Sequence, residues 1–317
     1  MSLDQGLVLD RLRPAQRVLI AGIGGGYDVF CGLPLFFHLR KCGKTVRLAN
    51  LSFTDLQRVD GRKLAWAAVE VNAESSGPEY YFPEKYLCEW FRSRGEDVSI
   101  QCFHRTGVLP LAEAYSAVTQ EYGIDTVVLI DGGTDSLMRG DEPDLGTPQE
   151  DIASIAAADS LELERRFLVC LGFGVDTYHG VSHGCVLENV AALAREGAFL
   201  GAFSLLAETE EAELYRQAAE FTFSRMPGHV SIVSSSILSA IAGEFGDHHA
   251  TERTRGSKLW INPLMSLYWA FSVEGVARRC LYLDSVRGTE SYYELSRAIA
   301  TFRSALPGTR EWERIPL

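Results

Sequence analysis

No apolar run in this 317-residue chain approaches the ~18 residues of a membrane-spanning helix, so a bilayer is not expected around it. It also lacks a basic tract, and its net charge of −12 sets aside nucleic acid and anionic membrane surfaces as partners. The seven cysteines (Cys31, Cys42, Cys88, Cys102, Cys170, Cys185 and Cys280) are odd in number and never spaced C-x-x-C. That excludes a zinc knuckle and argues against a disulfide framework. Free cysteine commonly serves as a small buried hydrophobe, and only Cys185, two residues after His183, stands out as an alternative nucleophile. The opening MSLDQGLVLD carries acids where a signal peptide needs a basic and then a long apolar segment, so a cytoplasmic location is expected. There is no solenoid repeat and no low-complexity linker.

What is present is a hydrophobic fraction of 46% with 23% charged residues, enough to fill the core of an ordinary globular protein. A single domain over 1–317 is the simplest account. Short apolar runs predict buried strands at Val18–Ala21, Val46–Phe53, Val98–Phe103, Thr126–Ile130, Phe167–Leu171 and, as the last strand, Ala198–Leu206. Amphipathic segments alternate with them: a helix after Asp28, Glu84–Arg94 before Gly95, Leu111–Tyr122 before Gly123, one starting near Pro148, and one ending near Arg195. Thr54–Ala73 reads as helical or irregular, and Ser75–Pro83 as a loop. Alternation at this interval implies parallel pairing through right-handed crossovers, hence a doubly wound, mainly parallel α/β sheet of Rossmann-like type. Beyond Glu208 the pattern predicts a helical C-terminal layer over 208–317, made of Glu208–Arg225, Val230–Phe245, Pro263–Arg279 and Glu290–Ala305. Between these helices, Gly246–Lys258 is polar and long enough to act as a lid, although a solvated loop is the simpler reading.

Three strand–helix loops share one composition. The first holds Gly22, Gly24, Gly25, Gly26 and Asp28; the second Asp131, Gly132, Gly133 and Asp135; the third Gly172, Gly174 and Asp176. In a parallel sheet such loops lie along the carboxyl edge, where ligands bind. Helix N-termini attract anions, yet each of these loops carries aspartate and none contains Lys or Arg. One reading makes each aspartate a cap of its own helix. The other has the carboxylates hold an amine, sugar hydroxyls or a divalent cation, the last on Asp131, Asp135 and Asp176, with Asp28 and the glycine backbones against a small ligand. A bare phosphate at 4 Å from one such carboxylate meets about 4 kcal/mol of repulsion at an effective dielectric near 20, so a phosphorylated ligand would need Mg or Mn. Arg139 could add a positive contact, and Asp141 and Glu142 lie either in a solvated turn or toward the ligand.

His179 and His183 are the candidate proton carriers, sharing a face if their segment is helical, with Asp135 as a further catalytic candidate. Histidines beside a glycine turn are more often structural than metal ligands or proton carriers, and His248 and His249 read as solvated. An NAD site is unlikely: the third glycine of G-x-G-x-x-G is replaced by Tyr27, and the second strand ends at Asn50, Ser52 and Phe53 without a ribose-binding acid. DGGTDS is similar to the pyrophosphate loop of ATP pyrophosphatases, but Asp131 stands where that loop has serine.

Gly24, Gly25, Gly26 and Asp28, followed by Asp131, Gly132 or Gly133, Asp135, Leu137, Glu142 and the Gly146–Pro148–Asp151 run, resemble the domain-of-unknown-function family eleven-fifty-two. That family has a G-G-G-x-D first loop and a D-x-G-G-D-x-L-x-x-G-x-E second loop; Thr134 departs from the spacing of the latter. The resemblance covers most of the first two hundred residues, implies a glycine-rich Rossmann-type fold, and assigns no reaction. The expectation is therefore an enzyme, a metal-assisted transferase or hydrolase, binding a nucleotide or other small polar metabolite. The alternative is a non-catalytic metabolite sensor or complex subunit. Assembly into a homo-oligomer is left open.

Overall fold

The computed structural model describes residues 8–257 and 259–310. Residues 1–7, read above for a targeting signal, and Lys258, the last residue of the polar loop, lie outside the described residues.

A nine-stranded sheet organises the chain. Its strands are β1 (Arg17–Gly22), β2 (Thr45–Leu51), β3 (Arg62–Ala65), β4 (Ala68–Val71), β5 (Ile100–Phe103), β6 (Thr126–Asp131), β7 (Arg165–Leu171), β8 (Phe199–Ser204) and β11 (Leu267–Ser272). A separate hairpin pairs β9 (Gly246–Asp247) with β10 (Trp260–Ile261). The sheet order is β3-β4-β5-β2-β1-β6-β7-β11-β8. The central five, from β5 to β7, are parallel, with Ile20 opposite Leu48 on one side and Val128 on the other. Their near-continuous apolar sequences follow from burial on both faces.

The twelve helices among the described residues are α1 (Val8–Arg11), α2 (Asp28–Cys31), α3 (Leu33–Lys41), α4 (Pro83–Ser93), α5 (Val108–Tyr122), α6 (Pro148–Asp159), α7 (His183–Arg195), α8 (Glu210–Arg225), α9 (Ile232–Ile241), α10 (Val273–Arg279), α11 (Leu283–Val286) and α12 (Tyr292–Ala305). Alternate residues of each central strand face opposite layers. Val18 and Ile20 pack with Phe36, Phe91 and Tyr215 of α3, α4 and α8. Leu19 and Ala21 pack with Tyr115, Ile152 and Ile299 of α5, α6 and α12. The result is a three-layer α/β arrangement.

Two segments correct the sequence reading. Within Thr54–Ala73 the chain forms the antiparallel hairpin β3–β4, which extends the sheet beyond β5. Ala198–Leu206 does not supply the last strand. Pro263–Arg279 is not one helix but a short 3-10 turn, β11 and α10. β11 inserts antiparallel between β7 and β8, placing Ala270 opposite Val169 and Trp269 opposite Ala202. The C-terminal part is therefore woven into the sheet rather than laid over it as a helical layer. Its Tyr268 hydroxyl donates to the Cys31 carbonyl at the end of α2 across 2.6 Å, tying late sequence to the first glycine loop.

After β1 the chain builds outward through β2 to β5, then crosses back to lay β6 on the other flank of β1. The strand order thus reverses between β1 and β6. At such a reversal the loops leaving two neighbouring strands turn to opposite faces and leave a crevice beyond their carboxyl ends.

Candidate functional site

A cavity of about 440 Å³ occupies that crevice. Gly24, Gly25, Gly26 and Asp28 of the first loop line it, with Asp131, Gly132 and Asp135 of the second and Asp176 and His179 of the third. Gly25 and Gly26 have φ of +89° and +62°, which L side chains rarely adopt, so the backbone can turn against the cavity only with glycine there. The remaining expected residues lie behind this surface. A Cβ on Gly22 would fall 2.3 Å from Asn50 Oδ1, one on Gly133 2.5 Å from Asp176 Oδ2, one on Gly172 3.3 Å from Ile237, and one on Gly174 2.4 Å from His183 Nε2. At these four glycines an added side chain would crowd neighbouring groups.

Of the loop aspartates, Asp131 takes an N–H of the turn that follows it, that of Ser136 at 3.4 Å, as a cap would. The residues directly before α2 and before the 3-10 turns that begin at Asp135 and Val175 offer no capping side chain, and the Val29 N–H of α2 is taken by Asn50. The carboxylates also stitch loops together. Asp28 accepts the Gly24 N–H at 2.6 Å and also faces the Gly132 N–H. Asp176 reaches across to the Thr134 N–H at 2.6 Å. Asp135 takes the N–H and hydroxyl of Thr147 at 2.7 and 2.9 Å, and Asp131 accepts the Ser136 hydroxyl.

A further residue, Asp151 in the first turn of α6, joins them. Carboxylate oxygens of Asp131, Asp135 and Asp151 lie within 4.8 Å of one another. Asp151 is 2% exposed, and neither of its oxygens has a hydrogen-bond partner among the described residues. The family pattern includes Asp151, but acidic residues in a helix's first turn are explained by the helix dipole alone, so nothing local marks it as functional.

Burial disfavours every one of these charges and is the main reason their pKa values rise, with mutual repulsion second for Asp131, Asp151 and Asp176. Asp28 is pushed up to about 7, against the pull of the two glycine N–H groups. Asp135 is raised less freely, because Thr147 and the nearby His179 favour its ionised form. A hard divalent cation among the three converging carboxylates would neutralise charge that the protein itself does not. An oxygen-only donor set suits Mg²⁺, Mn²⁺ or Ca²⁺ rather than zinc.

The histidines separate. His179 stands exposed at the cavity rim, at the end of the 3-10 turn Val175–His179. Gly180, at φ +85°, then breaks the chain, and His183 starts α7. The two therefore share no helix face, and His183 does not line the cavity. Its ring lies edge-on to Phe173 and Trp260, and burial lowers its pKa. Cys185 is buried, with its thiol pushed up by desolvation, which suits an inert core residue.

Other residues near the loops have structural roles. Asp141 pairs with Arg139 and Arg310, so Arg139 is not offered to the cavity. Glu142, 1% exposed, accepts from Asn189 at 2.7 Å and Arg310 at 3.0 Å, and is neither solvated nor turned to a ligand. Asn50, where a dinucleotide site has its ribose acid, instead donates to the Gly26 carbonyl at 2.9 Å and to buried Glu84 at 2.8 Å, while accepting the Val29 N–H at 3.2 Å. It holds the first glycine loop in place. Aromatic side chains complete the cavity: Phe53 under Gly25, with Tyr27, Tyr80, Tyr81 and Tyr178 around the mouth.

A family model described as a protein of unknown function, DUF1152, matches residues 19–304. The chain belongs to the DUF1152 family. No curated protein matches it. The DUF1152 match extends through β11 and into α12, so it includes the C-terminal strand as well as the glycine loops.

Proposed function

We propose that this DUF1152 protein is an enzyme that binds a small phosphorylated or otherwise polar metabolite, a nucleotide included, together with a divalent cation in the crevice between β1 and β6. The observation that carries this reading is the convergence of Asp131, Asp135 and Asp151 within 4.8 Å, with both Asp151 oxygens buried and without a hydrogen-bond partner among the described residues. Such a group is stable as anions only with a cation among them. Asp176, expected from the sequence as a metal ligand, borders the same cavity and adds negative charge while its carboxylate holds the Thr134 N–H. The cation would supply a Lewis acid beside the glycine backbones. His179, exposed at the rim and electrostatically coupled to Asp135, is the residue placed to move a proton. Phe53 and the tyrosines offer flat apolar surface to a base or sugar ring.

The test is thermal unfolding with and without Mn²⁺ or Mg²⁺, followed by a metabolite screen in the metal's presence. The parent should gain several degrees with the cation, and Asp135→Asn should lose that gain while remaining folded. Equal gains in parent and variant would remove the carboxylates from this role. Turnover of a ligand found in the screen, lost in His179→Ala, supports an enzyme. A ligand that stays unchanged on long incubation would make the protein a metabolite sensor instead.

A further inference from the structure

The cavity has a second pole, opposite in charge to the aspartates. Helix α9 begins at its wall, and Ser231, Ile232 and Val233 line the cavity. The Ser231 hydroxyl accepts the Ser234 N–H at 3.1 Å, which leaves the N–H groups of Ile232 and Val233 without an intrahelical partner. Arg253, from the segment between β9 and β10, lines the same wall. Its guanidinium donates to the Val230 carbonyl at 2.8 Å and has no carboxylate partner among the described residues. In a chain with twelve more acids than bases, a cavity-lining arginine free of any acid is a resource left for something else. Independently, Tyr27, only 7% exposed and lining the cavity, carries a hydroxyl with no partner among the described residues. That hydroxyl feels the charge of buried Glu84 and, less strongly, that of Arg253.

The two poles adjoin. A Cβ on Gly132 would meet Asp28 Oδ1 at 2.7 Å on one side and Val233 Cγ1 at 3.1 Å on the other. An anion at the start of α9 is thus close to Asp28 on the acidic side of the cavity, and a cation between them offsets the repulsion. We infer that the start of α9, Arg253 and Tyr27 form a seat for the phosphoryl group of the substrate, which bridges from this seat to a cation on Asp131, Asp135 and Asp151. Free N–H groups at a helix start, a guanidinium fork and a phenol are the donor set that phosphoryl oxygens accept from. The inference rests on the metal reading above and narrows it: the ligand is a phosphate ester or anhydride, not a neutral polyol.

Isothermal titration of inorganic phosphate, with and without saturating Mn²⁺, tests it on the parent, Arg253→Ala, Arg253→Lys and Tyr27→Phe. Arg253 is exposed and makes one hydrogen bond to the backbone, and Tyr27→Phe removes a buried unpartnered hydroxyl, so all three should fold with parental Tm. The expected result is phosphate binding by the Mn²⁺-loaded parent, weakened about tenfold or more in Arg253→Ala, partly restored in Arg253→Lys and several-fold weaker in Tyr27→Phe, with Mn²⁺ affinity unchanged. A parent that binds Mn²⁺ but not phosphate, or phosphate equally well without Arg253, overturns the seat and leaves the metal reading standing. Phosphate bound through Arg253 by a parent that takes no Mn²⁺ supports the seat and overturns the metal reading. A parent that binds neither overturns both.

Discussion

Asp151 concentrates the physical problem that this site poses. A carboxyl group with no hydrogen-bond partner among the described residues, enclosed beside Asp131, Asp135 and Asp28, has its pKa pushed well above 3.8. The folded state therefore holds a proton that the unfolded chain has already released. Unfolded and folded forms bind equally at acid pH, below the unfolded value. As pH rises past it, the unfolded state loses its proton first and gains relative stability, by about 1.4 kcal/mol per pH unit for each such group. The raised carboxyl thus costs stability as pH increases, the reverse of a salt-bridged aspartate. Asp151→Asn removes that dependence. In chelator, urea unfolding should give near-equal stabilities for parent and variant at pH 4. The variant should pull ahead progressively through pH 5.5 and 7, and Mn²⁺ should close the gap by stabilising only the parent. A constant difference across this range would mean that Asp151 is not held protonated. Sequence reading could name Asp28, Asp131, Asp135 and Asp176 because glycine turns flag their loops. Asp151 entered only through the family pattern, because its position on α6 looks like a dipole-stabilising helix start.

At the level of elements, the three glycine turns and the strands feeding them were legible because a doubly buried parallel strand is a short apolar run with an abrupt glycine stop. The segments that escaped lack that contrast. RKLAWAAVEV spans β3 and β4 with charges inside each strand, as an edge hairpin permits, and its period favours neither helix nor strand. LYWAFS in β11 runs directly into the helix α10, so the apolar stretch reads as the start of that helix. Asn50 shows how an element end is adapted. Dinucleotide folds put an acid at the end of the second strand to hold ribose; here an amide turns back to secure the Gly26 carbonyl and the Val29 N–H. It also satisfies Glu84, which is fully buried with a raised pKa. Asn50→Ala leaves a backbone carbonyl, a backbone N–H and a buried carboxyl each short of a partner. The expected loss is roughly 2–4 kcal/mol in denaturant unfolding. It should come with weaker cation-dependent stabilisation, because the Gly24–Asp28 turn is no longer held. A loss below half a kcal/mol would show that α2 and Phe53 fix the loop without Asn50.

Across the whole molecule, the insertion of β11 decides how the chain can come apart. Among the described residues β8 pairs with the sheet only through β11, and β7 loses its second neighbour if β11 leaves. The Tyr268 hydroxyl bond to Cys31 and the packing of α12 against the same core as α5 and α6 join residues from both ends of the sequence. Even the segment that carries Arg253 is bracketed by β9 and β10 and so depends on this late stretch of chain. An α/β half over 1–206 with a detachable helical remainder would show two transitions; a sheet threaded by its own C-terminal strand should show one. In urea, far-UV ellipticity and tryptophan fluorescence, with Trp90 buried in α4 and Trp269 half-buried in β11, should trace coincident curves. Tyr268→Phe should shift the common midpoint to lower urea without splitting it, since the hydroxyl's bond is lost from a link between the two ends rather than from either alone. Separated midpoints for the two probes would instead mean that the sheet can shed β11 and β8, and that the acid cluster can persist without the wall that Arg253 and α9 provide.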